Sequence, residues 1–272
     1  IGGGINAVTK SGTNTFKGTA YTYYRDQNLR GNKVNGDDLG DRAKEKKQIY
    51  GFTVGGPIIK NKLFFFANLE MEKTPGQVIK YRAAKSGEAG GKDMISRTTE
   101  EDMKKVSDHL KNTYGYDPGS YTNFPGDEEN YRILARLDWN ITNNHRLSLR
   151  YNRTKNTAWN APNGNSVDVK PRLNNTYRVG LQSMAFANTM YSMDNLVESW
   201  SLDLNSRFGN KASNQLLATL SDIQDIRGTN SSEFPMIDIM FDGTTNGGPY
   251  MSAGYELFTY NNGVKNKIFT VK

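Results

Sequence analysis

Tyr131-Arg132-Ile133-Leu134-Ala135-Arg136-Leu137-Asp138-Trp139-Asn140-Ile141 carries an apolar side chain at every odd position, and every even position except Leu134 is charged or amide. Successive side chains of a β-strand point to opposite faces, so the stretch reads as a strand with one dry face and one polar face. After Thr142-Asn143-Asn144 the alternation resumes, with Leu147, Leu149 and Tyr151 set against Arg146, Ser148, Arg150 and Asn152. Parity is unchanged across the turn. An antiparallel hairpin that keeps parity needs an odd loop, most simply three residues with an Asn in the left-handed conformation.

The pattern recurs on both sides. Trp200, Leu202, Leu204 and Phe208 alternate with Ser201, Asp203, Asn205 and Arg207, turn near Gly209-Asn210-Lys211, and continue as Leu216, Ala218 and Leu220. Tyr50, Phe52 and Val54 lead through Gly56 to Asn61 into Leu63, Phe65, Ala67, Leu69 and Met71; here parity switches, which predicts an even loop. A weaker hairpin is expected between residues 251–260 and 268–271, and an unpaired first strand at about 16–25. Within hairpins the turns are short. Between hairpins the connections are long, polar and rich in Gly and Asn, at about residues 26–46, 73–130, 155–195 and 227–250.

Long loops are uncommon in compact soluble domains. A strict alternation of short and long connections puts tight turns at one end of a sheet and elaborated loops at the other, the layout of an outer-membrane barrel with short periplasmic turns and long extracellular loops. Strand lengths match the ~9 to 11 residues that a tilted spanning strand needs. Phe64, Phe65, Phe66, Trp139 and Phe208 gather beside the short turns, as an interfacial girdle would. The competing reading is a soluble β-sandwich. One connection has structure of its own: Thr99 followed by Glu100, Glu101 and Asp102 opens a helix of about 99–114 with Met103, Val106 and Leu110 on one face, stopped by Gly115 and Pro118. It is expected to pack over the mouth, with contact to cargo as the alternative role.

Composition excludes several other classes. Among 272 residues there is no cysteine, which removes disulfide scaffolds and thiolate metal sites. Mean hydropathy is −0.72, and the longest apolar run is Leu63 to Ala67, far short of the ~20 residues of a spanning helix. Net charge is +7, but bases and acids interleave, as in Asp37 to Lys47 and Glu100 to Lys111, so nucleic acid is not an expected partner. No catalytic constellation emerges: His109 and His145 lack a paired nucleophile, Gly2-Gly3-Gly4 is not followed by a phosphate-binding Lys and helix, and Asp37, Asp38 and Asp41 lack full calcium-loop spacing. No enzyme activity, cofactor or metal is expected. The chain has no initial Met or leader and reads as a mature or truncated piece.

Gly2-Gly3-Gly4-Ile5-Asn6-Ala7-Val8-Thr9-Lys10-Ser11-Gly12-Thr13-Asn14 resembles the segment that ends the plug domain of TonB-dependent outer-membrane transporters, and Phe16-Lys17-Gly18-Thr19-Ala20-Tyr21 resembles their first barrel strand. Gly55-Gly56-Pro57-Ile58-Ile59-Lys60-Asn61-Lys62-Leu63-Phe64-Phe65-Phe66 is similar to the second-to-third strand turn of the Oar-like branch of Bacteroidetes and related bacteria; residues 137–142 and 204–208 are similar to its later hairpins. The resemblance implies an all-β fold: a partial antiparallel transmembrane β-barrel, about nine strands of a larger plugged barrel. Residues 1–15 would be the end of the plug and residues 16–272 the first part of the barrel. It also implies location in the outer membrane of a Gram-negative bacterium and active uptake of a large or scarce solute. The implied partners are TonB through a region upstream of this sequence, outer-membrane lipid, the protein's own plug and a surface lipoprotein. An adhesion protein or a passive barrel is the alternative function.

In a barrel, the apolar side chains Tyr131, Ile133, Leu137, Trp139, Leu147, Leu149, Trp200 and Leu202 are expected to face lipid. Arg132, Arg136, Asp138, Arg146 and Arg150 are then expected to face the lumen together, with the arginines either pairing with acidic groups of the plug or orienting an anionic cargo.

Overall fold

The computed structural model describes residues 8–29, 31, 33–35, 37–38, 46–164, 166–167 and 177–272. Eight strands form a single antiparallel sheet in which each strand pairs with the next in the chain. They are β1 (Lys17–Asp26), β2 (Lys46–Ile59), β3 (Leu63–Thr74), β4 (Glu128–Asn140), β5 (His145–Asn160), β6 (Tyr191–Phe208), β7 (Ala212–Gly228) and β8 (Gly263–Val271). Among the described residues β1 and β8 are the two edges, so the barrel is not closed within this chain.

Register aligns the apolar positions into continuous rungs. Trp139 opposes Leu147, which neighbours Leu204 and then Leu216; Leu137, Leu149, Leu202 and Ala218 form the next rung; Ala135, Tyr151, Trp200, Leu220 and Phe269 form the one above. No second sheet covers this face among the described residues, and Trp139, Leu137 and Trp200 keep 41%, 40% and 48% of their surface exposed. A sandwich would bury such a face. Along β6 the apolar face runs from Phe208 to Trp200. That is roughly 26 Å of strand, or about 20 Å of height at a ~40° tilt, close to the ~25 Å apolar band of outer-membrane barrels.

The opposite face is polar and unusually dependent on one glycine. Tyr21 on β1 lies over Gly51 on β2, where an added Cβ would come within 1.9 Å of the phenol ring. Crossing that gap lets the Tyr21 hydroxyl reach Glu70 Oε2 on β3 at 2.6 Å.

The buried core lies in the long connections rather than in the sheet. Ile79, Met103, Leu110, Met184, Phe186, Met190 and Met251 are all at most 3% exposed and belong to one cluster drawn from three connections. The first supplies parallel strands Arg82–Ala84 and Ile95–Thr99 and helix α1 (Glu100–Tyr114). The second supplies Met184–Ala185, which pairs in parallel with Pro249–Ala253 of the third; that strand also pairs with Ile237–Met240. The three connections therefore build one cap.

Helix α1 forms where its residues demand it. The Thr99 hydroxyl accepts from the Asp102 N–H at 3.1 Å, and Gly115 at φ 64 ends the helix in the left-handed region. Met103, Ser107 and Leu110 are buried, with Val106 packed beside them, while Lys104–Asp108 and Lys105–Glu101 pair on the outer side.

Several expectations change. The turn after β4 has the expected odd length, but no Asn there is left-handed; the Thr142 hydroxyl accepts from the N–H groups of Asn144 and His145, both at 3.1 Å, and the side chain shapes the turn instead. The parity switch between β2 and β3 comes from a bulge at Ile58 followed by a three-residue turn with left-handed Asn61, not from an even loop. Phe65 is on the apolar face, but Phe64 and Phe66 pair with Asp138 and Arg136 and lie on the polar one. The hairpin expected between residues 251–260 and 268–271 does not form. Met251, Ser252 and Ala253 are instead buried in the cap, and β8 pairs with β7, so the sheet has eight strands rather than about nine. Of the predicted plug end, residues 1–7 lie outside the described residues, as does Asp41 of the acidic triplet.

Replacing Gly51 with Ala is expected to destabilise the barrel by about 1 to 3 kcal/mol through overpacking against Tyr21. The loss should appear as a lower temperature at which the folded, fast-migrating gel species disappears, and the double variant G51A/Y21A should recover part of it.

Candidate functional site

On the polar face of β3 to β5 the side chains form two ionic clusters, one above the other. Arg132 Nη1 donates to Glu70 Oε1 at 2.5 Å and to Glu72 Oε2 at 3.2 Å, and Lys47 pairs with Glu72 from the other side. With Tyr21 this links β1 to β4 in one hydrogen-bonded row. Two rungs nearer the short turns, Arg136 clasps Asp138 through Nε and Nη2 at 2.8–3.0 Å. Ser148 on β5 donates to the same carboxylate.

Arg136 makes a further contact that tells where the chain enters the sheet. Its Nη1 donates to the carbonyl and hydroxyl oxygens of Thr9, both at 2.8 Å. Residues 8–15 thus lie against the polar face before β1 begins. Asn14 and Asn61 add two bonds at 2.5 and 2.7 Å, and Gly12 approaches so closely that a Cβ would meet the Phe65 carbonyl oxygen at 2.3 Å. Small residues are required where two backbones touch.

Sequence periodicity placed Arg132, Arg136, Asp138, Arg146 and Arg150 on one face, and all five share it. Their pairing differs from the expectation. Arg132 and Arg136 are neutralised by carboxylates of the sheet itself, because Glu70, Glu72 and Asp138 occupy the same face within reach. Arg146 and Arg150 have no ion pair among the described residues, and Arg150 Nε is buried without a hydrogen-bond acceptor. Arg146 lines an open recess of about 560 Å³ near the short turns, with Asn143, Asn205, Arg207 and Gln215. Glu70 and Glu72 were missed, although their alternation with Leu69 and Met71 carried the signal. Tyr131, Ile133, Leu137, Trp139, Leu147, Leu149, Trp200 and Leu202 share the opposite, apolar face. His109 bonds Thr113 in the cap and His145 bonds Ser206 beside a short turn, so the histidines are at opposite ends of the molecule.

Polar groups also hold the cap together. Arg178, 2% exposed, is bidentate to Asp238 at 2.7 and 2.8 Å and donates to Ser166 Oγ at 2.7 Å and to the Asn163 carbonyl. Arg97 donates to the carbonyls of Gln182, Gly247 and Pro249 and lies 4.0 Å from the centre of the Phe241 ring. The Tyr250 phenol donates to Asp102 at 2.7 Å, holding that carboxyl below the usual range, with help from Thr99 and Lys105. Arg82 holds Glu88 down to about 2 in the same way, supported by the Lys85 N–H. Tyr116 stacks on Phe234 at 4.0 Å. Arg178–Asp238, the bonds of Arg97, Tyr250–Asp102 and Tyr116–Phe234 each join different connections.

Replacing Arg178 with Ala leaves the half-buried Asp238 without its cation and with only the Ser252 hydroxyl bonded to it, a loss of up to about 3 kcal/mol. The cap should then become cleavable by external protease in residues 161–190 and 229–262 while the sheet keeps its folded gel mobility.

An outer membrane beta-barrel domain model matches residues 8–83. The chain is 28% identical over 159 residues to the TonB-dependent transporter Oar of Myxococcus xanthus, a match covering 56% of this chain and 14% of that protein. The chain therefore corresponds to a small part of that relative's length. No solved structure matches. The eight-stranded sheet, with its uncovered apolar face and its short and long ends, is part of a transmembrane β-barrel, and the protein resides in the outer membrane of a Gram-negative bacterium.

Proposed function

We propose that this chain is part of a TonB-dependent transporter of the Oar-like branch, from a Bacteroidetes-type bacterium, which takes up a solute too large or too scarce for diffusion pores. The observation that carries the reading is the capture of Thr9 by Arg136 on the polar face. A chain that approaches its first strand along the inside of a barrel has the arrangement needed to join a plug to the wall. In this reading residues 1–15 end the plug, residues 16–272 begin the barrel, and the protein is not an enzyme. The polar face with Arg132, Arg136, Asp138, Arg146 and Arg150 is the lumen; the face with Leu137, Leu149 and Leu202 meets lipid.

Of the four arginines Arg132, Arg136, Arg146 and Arg150, the last two are left for the plug or for an anionic cargo. TonB would act on a region upstream of this sequence, and a surface lipoprotein would meet the cap. An adhesion protein is the second reading, favoured by the folded cap, which offers a firm external surface.

Two experiments test this. Leu149→Arg should impair assembly by about 2 to 4 kcal/mol near the bilayer midplane, whereas Thr219→Arg on the polar face should be tolerated; equal effects would overturn the assignment of faces. Depletion of solutes from defined medium should be compared between wild-type cells and cells lacking the gene, with and without a protonophore. The transporter reading expects a solute removed only by energised wild-type cells. Removal that ignores the protonophore indicates a passive barrel, and lost surface attachment with no change in uptake indicates adhesion.

A further inference from the structure

On β5 to β8 the apolar face gives way after the rung of Tyr151, Trp200, Leu220 and Phe269: the next rung on these four strands is Arg153, Glu198, Asp222 and Lys267, while β3 and β4 continue the same rung with Leu69 and Ile133. One rung higher, Lys155 and Lys265 occupy the same face at its two sides. Hydrophobic and charged layers are thus separated by a single side-chain step, about 7 Å along a strand. The step is bridged by aromatics: the Tyr151 ring packs on Trp200 at 4.5 Å, below the charged layer, while its hydroxyl donates to Glu198 at 3.0 Å, inside it. This is how an amphipathic ring sits at a membrane surface.

The charges in the layer do not cancel. Arg153 Nη1 is 3.2 Å from Glu198 and Lys267 Nζ is 3.7 Å from Asp222, but Lys155 and Lys265 have no ion pair among the described residues. Four cations face two carboxylates, and the acids are in the middle. Arg153 and Lys155 stand together on β5, Lys265 and Lys267 on β8, three strands away. At ~4.8 Å between strands the two cation pairs are roughly 14 Å apart. They are on the long-loop side of the apolar face, and long flexible cationic stems can keep their charge at the headgroup level.

We propose that these two pairs bind the phosphate groups of anionic lipids in the outer leaflet, one headgroup at Arg153 and Lys155 and another at Lys265 and Lys267. The proposal rests on the reading that the apolar face meets lipid. Cations close to an anionic lipid surface each add attraction that falls off within a Debye length. Glu198 and Asp222 hold Arg153 and Lys267 in place and prevent the layer from repelling itself when no lipid is bound.

The test uses the full-length protein in a cysteine-free background with Leu220→Cys, at the top of the apolar face, carrying a bimane label. It is reconstituted into vesicles of phosphatidylcholine and phosphatidylglycerol in which one or the other lipid carries brominated acyl chains at equal mole fraction. About twofold stronger quenching by brominated phosphatidylglycerol is expected, falling to parity in K155Q/K265Q/K267Q and in 0.5 M salt. The charge-neutralised pair K104Q/K105Q, on the cap helix, should leave the preference unchanged. Equal quenching by the two lipids, or a preference that survives the triple substitution, overturns the lipid site alone. Absence of quenching by either lipid overturns the reading of the apolar face itself.

Discussion

A backbone N–H or C=O left unpaired in hydrocarbon costs several kcal/mol, and this constraint shapes every other feature of the molecule. It explains why the chain is organised as a meander in which each strand uses the next to complete its hydrogen bonds. It also explains the two kinds of connection. Where chain must return at the narrow end, the shortest turn that satisfies its own backbone suffices, as the Thr142 hydroxyl shows by accepting from two N–H groups. At the other end, in water, backbone can wander, provided that it finds a core of its own.

Charge is distributed by the same logic. A guanidinium on the polar face gains from a carboxylate two positions along its own strand or directly across on the next, because side chains at those sites share a face. Arg136 takes the first route with Asp138 and Arg132 takes the second with Glu70. Both pairs are partly exposed, so their worth lies less in stability than in fixing where the planar groups point. Arg136, held by Asp138, keeps Nη1 free for Thr9. Arg150 lies opposite Arg136 in register, and with Asp138 already engaged it finds no carboxylate among the described residues.

The strands and their faces were legible in the sequence because period-2 alternation is local, and the residues from Tyr131 to Tyr151 fell on the expected faces. Helix α1 was legible for a similar reason: Thr99, the acidic first turn and Gly115 are local signals. What failed required information from elsewhere. A bulge at Ile58 and an even loop give the same parity switch, so only register distinguishes them. Phe64-Phe65-Phe66 has no polar residue to mark its inner positions, and the face is decided by the partner strand. Met251, Ser252 and Ala253 resemble a membrane strand until Met184–Ala185, distant in sequence, and Ile237–Met240 of the same connection are brought beside them. Arginine positions were readable, but their partners were not, since Glu70 and Arg132 are separated by a whole connection.

The cap adds a mechanical consequence. Its apolar core and the pair of buried Arg178 with Asp238 are shared among connections, so no single connection owns the interactions that hold it down. Buried side chains of the size of Phe186, Met184 and Leu110 each contribute about 1.5 to 3 kcal/mol, and lifting one connection forfeits contacts made by the others. Displacing one element from a close-packed core therefore opens a void that the others must line or collapse into. On the proposed reading, the outer mouth above β3 to β8 is bordered by one stiff body hinged on strand ends rather than by independent flexible loops, and access past it changes in steps, as packed interfaces do.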